Sequence, residues 1–318
     1  MSVARVLGLD VGGSSVKCLL VEADADARPD AVPRVVRQER RPTPKHDPLS
    51  GLQELIAEFA AGEELSAVTV SVPGIVDEDG VVIRSSNVPA LDGHPLAAVL
   101  SDGSGLPVRV VNDGHAAALA EASWGAGSGR DDVFVLALGT GIAGAHIVGG
   151  RLSGGAHGSA GELGHISVDN PGAPCSCGRN GCLETVVGAP ALAAAWHRVG
   201  GTGGVEDLLH AYEEGVETAR HVVRNAVAAL SEAVLTLSAL VDPGCIVIGG
   251  GLASAPHRLV TLTAERVAAE ATFHRVPPIR PATLGGWAGA HGAVRIALDA
   301  VRQSRSGDSA ASMSPSNR

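Results

Sequence analysis

The chain has 318 residues, a net charge of −10 and an apolar fraction of 45%. That length suggests about two domains with a sizeable core, and the apolar content excludes disorder for the bulk of the chain. The acidic balance argues against a nucleic-acid surface, and only three Phe, three Trp and one Tyr beside 42 Gly argue against base stacking.

In chain order, residues 3–9 read as a strand that runs into Asp10-Val11-Gly12-Gly13-Ser14-Ser15, followed by a second extended run over 16–21. Strand, glycine turn, strand is a hairpin, with glycine supplying positive φ and close backbone approach. Residues 23–34 read as a surface turn. The span 49–61 has helical spacing, with Leu52, Leu55, Ile56 and Phe59 on one face. A strand over 68–72 stops at Pro73-Gly74, and another over 108–111 leads through Asn112-Asp113 into an Ala-rich helix ending near Glu121. Residues 124–132 read as a connection.

The opening arrangement then recurs: a strand over 133–138, the turn Gly139-Thr140-Gly141, and an extended run over 145–148. A helix over 217–240 precedes a strand over 245–248 and the turn Gly249-Gly250-Gly251. A last helix covers about 290–303, and residues 304–318 form a polar tail expected to be disordered. Two halves that each open with strand, glycine turn and strand predict a duplicated α/β architecture. The expected division is a smaller domain over 1–113 joined by the helix 290–303, and a larger one over 114–289.

No segment approaches 18 uninterrupted apolar residues, so no membrane span is expected. The first apolar run is too short for a secretory leader. The expected compartment is therefore the reducing cytoplasm, where cysteines seldom form structural disulfides. Three of the five cysteines, Cys175, Cys177 and Cys182, nevertheless crowd into eight positions. With His165 ten residues upstream they make a Cys₃His set suited to structural zinc, and Gly178 and Gly181 let the loop wrap an ion. A disulfide, or three unrelated thiols, are the competing readings.

Residues Gly139, Gly141 and Gly144 fit G-x-G-x-x-G, with Glu162 beyond. A dinucleotide fingerprint requires those glycines to open a helix. A strand follows here, so a hairpin whose backbone N–H groups cradle phosphate is the better reading. Three glycine turns after apolar strands point to a nucleotide site, and Asp10 beside the first is placed to hold Mg²⁺ through water. Asn112 and Asp113 stand at a strand's C-terminal end, where open α/β sheets place their ligands. Asp113 suits helix capping and also the acceptance of a proton from a substrate hydroxyl.

Together these residues resemble the ROK family of bacterial sugar kinases, repressors and related proteins, over about residues 5–300. Asp10-Val11-Gly12-Gly13-Ser14 is similar to its first phosphate motif, Gly139-Thr140-Gly141 to its second and Gly249-Gly250-Gly251 to its adenosine-side turn. Gly161-Glu162-Leu163-Gly164-His165 and the run from Cys175 through Gly181-Cys182-Leu183-Glu184 match its sugar and zinc motifs.

The resemblance implies the two-domain actin-like ATPase fold, closing on sugar and ATP, with Mg²⁺ and structural Zn²⁺. It implies phosphorylation of a hexose 6-hydroxyl, with glucose favoured and N-acetylglucosamine, N-acetylmannosamine, another modified sugar or a cyclitol as alternatives. Asp113 would be the general base. Asn112, Glu162, His165 and Glu184, with Gly74 and Asn87, would bind the sugar, and His165 would also ligate zinc. Homodimers or homotetramers are implied as well.

Three departures stand out. Ser15 occupies a frequent Lys position, Ala143 a frequent Gly position, and residues 85–91 do not reproduce the glucokinase-like Pro-Asn-Leu-x-x-Trp. Family repressors carry a DNA-binding module before the first phosphate motif. Only nine residues precede Asp10, so a kinase is expected rather than the other class, a non-catalytic sugar-binding regulator.

Overall fold

The computed structural model describes residues 3–312 except 86, 158, 170, 255–257 and 274, so Ser86 of the expected sugar-pocket segment lies outside the described residues. The elements run β1 (Val3–Val11), β2 (Ser15–Asp24), β3 (Arg34–Pro42), α1 (Pro48–Ala60), β4 (Leu65–Val72), β5 (Ile75–Val76), β6 (Val82–Arg84), α2 (Leu96–Ser104), β7 (Val108–Asn112) and α3 (Asp113–Trp124). They continue with β8 (Asp132–Leu138), β9 (Ile142–Val148), β10 (Arg151–Leu152), α4 (Glu184–Val187), α5 (Ala189–Arg198), α6 (Val205–Glu213) and α7 (Glu217–Val241). The last are β11 (Ile246–Gly249), α8 (Gly251–Ser254), α9 (Arg258–Glu270), β12 (Ile279–Pro281) and α10 (Ala288–Ser312).

The chain forms two compact units, one of Met1–Trp124 with Gly286–Arg318 and one of Gly125–Gly285. The first holds a sheet in the order β3-β2-β1-β4-β7, the second a sheet in the order β10-β9-β8-β11-β12. In each, the first strand of the unit pairs antiparallel with the hairpin strand that follows and parallel with the strand on its other side. The duplication expected from the two glycine hairpins is therefore a duplication of topology.

In the first unit, strand alternation sorts β1 onto two faces. Leu7, Leu9 and Val11 join Leu52, Ile56 and Phe59 of α1 in one buried cluster. Val6 faces the other way and packs with Ala290, Val294, Ala297 and Leu298 of α10. Helix α1 is set by Pro48 in its first turn and by Asp47, whose side chain accepts from the Ser50 N–H. Helix α10 lies close because of glycine: a Cβ on Gly8 would stand 2.7 Å from the Ala290 carbonyl, and one on Gly292 only 1.8 Å from the Ala116 carbonyl of α3. This packing groups α3 with the first unit, although the expected division fell at residue 113. Gly292→Val is accordingly expected to cost about 1–3 kcal/mol by forcing α10 off α3. Thermal denaturation reads it, and an unchanged melting temperature would show that this crossing tolerates a side chain.

Two elements depart from the sequence reading. Strand β3 was not anticipated, because Arg34 to Pro42 is a polar edge strand with no apolar alternation to mark it. It is held by its register on β2 and by Arg37 and Arg41, which pair with Glu39 and Glu58. The Arg37 guanidinium also lies 4.0 Å from the centre of the Phe59 ring. The final helix extends past residue 303 to Ser312, where a tail was expected.

The second unit is built around α7. That helix is long and apolar enough by composition to cross a membrane, but 56% of its apolar window is buried, against β8, α5, α6 and α9. Leu230, Ala233 and Val234 on it are fully buried, the signature of a core helix with one apolar stripe.

Candidate active site and metal centre

In the first unit the parallel strands β1, β4 and β7 bring their C-terminal ends into line. The register pairs Asp10 with Ser71 and Val72 with Asn112. Asp10 is buried; its Oδ1 accepts from the Ser71 hydroxyl at 3.0 Å and its Oδ2 from the Lys17 ammonium at 2.8 Å. Lys17 lies directly opposite Asp10 in the β1–β2 pairing. Neither Lys17 nor Ser71 was identified from sequence, although hairpin register alone places Lys17 there. The first residues of α10 also close on this carboxylate, since a Cβ on Gly289 would meet Asp10 Oδ1 at 2.5 Å.

Asn112 and Asp113 divide the work at the β7–α3 junction. The cap is Asn112, not Asp113: its Oδ1 accepts from the His115 N–H at 2.9 Å, and its Nδ2 donates to the Gly74 carbonyl at 2.7 Å. Gly74 itself holds φ at +133°, and a Cβ there would lie 2.0 Å from the Arg84 carbonyl, so only glycine fits. With capping done by its neighbour, Asp113 is left half-buried, accepting from the Gly114 N–H at 2.8 Å. Burial pushes its carboxyl up to about 6. The Gly114 N–H opposes that shift, the Asp10 charge adds to it and Lys17 opposes it.

The turn between β1 and β2 closes through Gly12 N–H to the Ser15 carbonyl at 2.9 Å, and the Thr43 hydroxyl donates to the Gly12 carbonyl. Neither Gly12 nor Gly13 has positive φ, nor do Gly139 and Gly141. This corrects half of the hairpin reading: in these two turns glycine supplies space rather than a left-handed backbone. A Cβ on Gly13 would touch Asn87 at 3.4 Å, which puts exposed Asn87 beside the turn. Ser14 is exposed at the same tip.

In the second unit, Gly139, Thr140 and Gly141 follow β8, and β9 follows them, a strand as the hairpin reading required. Gly249 ends the neighbouring β11, in register with Ala137. Gly250 does adopt φ of +88°, and a Cβ on it would meet the Leu138 carbonyl at 2.3 Å. The turn that begins there and runs into Gly251 is thus packed against the β8–β9 turn. Gly144, the third glycine of the G-x-G-x-x-G pattern, is a packing residue, because a Cβ on it would lie 2.4 Å from the Gly161 carbonyl. Gly161, with φ of +100°, and Gly164 let the turn Leu163–His165 sit against β9.

The cysteine loop folds back through two isolated bridges, Ser167 to Cys182 and Pro174 to Asn180. Gly178 and Gly181 both have positive φ, at +88° and +70°. The ligand atoms of His165, Cys175, Cys177 and Cys182 all lie within 4.8 Å of one another. Cys177 Sγ stands 3.6 Å from Cys182 Sγ, and Cys175 Sγ 3.5 Å from His165 Nδ1. A tetrahedral zinc with Zn–S bonds of about 2.3 Å keeps its sulfurs about 3.8 Å apart, so the spacing fits. The Cys177 N–H draws the Cys175 thiol down to about 7. Burial and the neighbouring sulfurs push Cys182 up, so a further thiolate here calls for a cation among them. All five cysteines are free thiols. With Nδ1 turned to the sulfurs, His165 Nε2 faces Glu162 Oε2 at 3.9 Å. Glu184, on the first turn of α4, accepts from the Ile142 N–H at 3.1 Å.

The chain is similar to known proteins over most of its length. A glucokinase from Thermotoga maritima is 32% identical over 279 residues, covering 83% of this chain and 87% of that protein. A ROK hexokinase from Thermus thermophilus has the same fold, with a TM-score of 0.84 at 31% identity over 94% of this chain and 99% of its own. A ROK family glucokinase from Streptomyces griseus, solved with glucose and AMPPNP, gives a TM-score of 0.71 at 28% identity over 93% and 100%. These neighbours carry the two-domain actin-like ATPase fold that the duplicated topology embodies. The ROK family itself matches residues 6–300, nearly the whole of both units and of every motif described above, and the chain belongs to that family.

Proposed function

We propose that this protein transfers the γ-phosphoryl group of ATP to the 6-hydroxyl of a hexose, with glucose as the favoured substrate. The observation that carries the reading is Asp113, a carboxylate freed from capping by Asn112 and moved by burial to about 6, near the optimum for a general base at neutral pH. As the sugar O6 attacks the γ-phosphorus, its proton passes to Asp113 and the bond to the bridging oxygen of ADP breaks. Asn112, Glu162, His165 and Glu184, with Gly74 and Asn87, are assigned to the sugar. Gly12, Gly13, Ser14, Gly139, Thr140 and Gly141 are assigned to the phosphates, and Gly249, Gly250 and Gly251 to the adenosine side. Phosphoryl transfer asks mainly for such positioning and for charge stabilisation.

Asp10 fits magnesium held through water, because both its oxygens already have protein partners. Magnesium so held would neutralise charge on the polyphosphate. His165, Cys175, Cys177 and Cys182 would hold zinc as a structural ion, with His165 Nε2 left for a sugar hydroxyl. We place the reaction in the cytoplasm, where the free thiols stay reduced, and in a homodimer or homotetramer, which sedimentation velocity would read.

One observation favours a second substrate. Residues 85–91 lack the Pro-Asn-Leu-x-x-Trp segment, so an N-acetylated hexosamine is the next candidate. ADP release by the purified protein across hexoses and amino sugars decides between them. The expected result is the highest kcat/KM with glucose. Preference for N-acetylmannosamine or N-acetylglucosamine selects the second substrate. Sugar binding without ADP release would overturn the kinase reading in favour of a regulator, and the same panel with polyphosphate tests the donor.

A further inference from the structure

Glu184 stands two residues after the metal-site Cys182 and begins α4. By family resemblance it reads a sugar hydroxyl, yet its observed partner is the second phosphate turn. Its Oε2 accepts from the N–H of Ile142, the residue that follows Gly139-Thr140-Gly141. Gly141 has to be glycine for this contact, since a Cβ there would stand 2.7 Å from the same Oε2.

The clasp has two more points. The Ala189 N–H donates to the Gly139 carbonyl at 2.9 Å, and Gly188, whose N–H caps on the Glu184 carbonyl, lies so close that a Cβ on it would be 3.0 Å from the Thr140 carbonyl. Residues 184–189 therefore grip every residue of the turn, and their other end is anchored covalently at Cys182. Among the described residues the second carboxylate oxygen, Oε1, has no hydrogen-bond partner, which leaves it available to a sugar hydroxyl. An acidic side chain next to a polyphosphate site repels the ligand's charge, so its presence there is explained by geometry rather than by attraction.

We propose that Glu184 is a positioning residue for the phosphate donor, fixing the Gly139–Gly141 turn and tying its shape to the metal loop and to the sugar. The inference rests on the kinase reading above and adds to it a physical link between acceptor, metal and donor sites.

Calorimetric titration of AMPPNP with magnesium, without sugar, tests it on wild type, Glu184→Ala and Glu184→Gln, each first checked for melting temperature and for zinc content. Loss of a hydrogen bond to a charged acceptor corresponds to a tenfold or larger change. The expected result is AMPPNP binding weakened about tenfold or more in Glu184→Ala and largely restored in Glu184→Gln, whose amide oxygen still accepts from Ile142. Glucose binding weakens in both. Removal of the metal from wild type weakens AMPPNP binding as well, and adds little in Glu184→Ala. A merely sugar-binding Glu184 would leave AMPPNP affinity unchanged in Glu184→Ala, and that result overturns the proposal while leaving the kinase reading intact. Wild type that binds no AMPPNP would overturn both.

Discussion

Asp113→Asn is expected to lower kcat by about 10²–10⁴-fold, the usual contribution of a positioned general base, while sugar affinity changes little. The substitution keeps the shape and the capacity to accept from the Gly114 N–H, but removes the ability to take a proton. Because the carboxyl is raised to about 6 and only its ionised form is a base, wild-type kcat/KM is expected to fall as pH drops through about 6. Lys17 holds that value down, so Lys17→Met is expected to move the acidic limb to higher pH. A limb that stays in place in Lys17→Met, or wild-type turnover in Asp113→Asn, would show that the base is another group.

The same shift has a consequence for stability. A carboxyl whose folded-state value lies above its ordinary 3.8 favours the folded state when protonated; that contribution is complete below about 4 and is lost as pH rises through about 6. The amide that Asp113→Asn introduces is neutral at every pH and would keep the contribution at neutral pH. Two units correspond to on the order of 2–3 kcal/mol. The inactive Asp113→Asn variant is therefore expected to melt above wild type at pH 8 and to converge with it near pH 4, where thermal denaturation would compare them. Catalytic sites commonly carry such a trade of stability for function.

The other large effect concerns the metal. Purified protein is expected to carry about one zinc per chain, and Cys182→Ser to lose it. Cys182 is fully buried and its Sγ lies against Cys177 Sγ and the His165 carbonyl, so a serine leaves a short, poorly ligating oxygen among thiols. Structural zinc sites contribute about 10–16 kcal/mol of apparent binding free energy in small domains, which makes chelation costly wherever the loop depends on the ion. Among the described residues between Ser167 and Cys182 there is no helix or strand: the loop is held by two isolated bridges, a few backbone hydrogen bonds and glycines at positive φ. Chelation should therefore lower the melting temperature and expose the segment around Cys175 to proteolysis. A zinc-free protein of equal stability and full activity would sink the assignment.

The glycine hairpins, the Asn112-Asp113 junction and the cysteine cluster were legible before any fold, because each is a local device in which a few residues at fixed spacing do one chemical task. Strand β3 was not legible, since an edge strand of arginines pairs through its backbone and leaves no apolar trace. The extension of α10 was missed for a related reason: residues 304–312 are polar, and nothing in their pattern separates a helix from a tail. Glycine at 12, 13, 139 and 141 was read for two properties of which only the close approach holds, because a sequence shows that a side chain is missing but not whether φ or a neighbour requires it. Gly250 and Gly74 have both reasons, and only the packing tells the two cases apart.

The few aromatics and the acidic charge by themselves argued against a nucleic acid, and the three glycine turns after apolar strands pointed to an anion bound through backbone groups. The local motifs also determined the family and, with it, the duplicated fold. What only the tertiary structure decided are relations between residues far apart in the chain. Ser71 reaches Asp10, Gly292 admits α10 against α3, Asn112 takes the cap that releases Asp113, and Glu184 closes on the turn after β8. The physical reason is that spacing along a chain specifies hydrogen bonds and ligand sets within a turn or two. Burial, electrostatic shift and backbone clearance are set by whichever distant segment packs alongside.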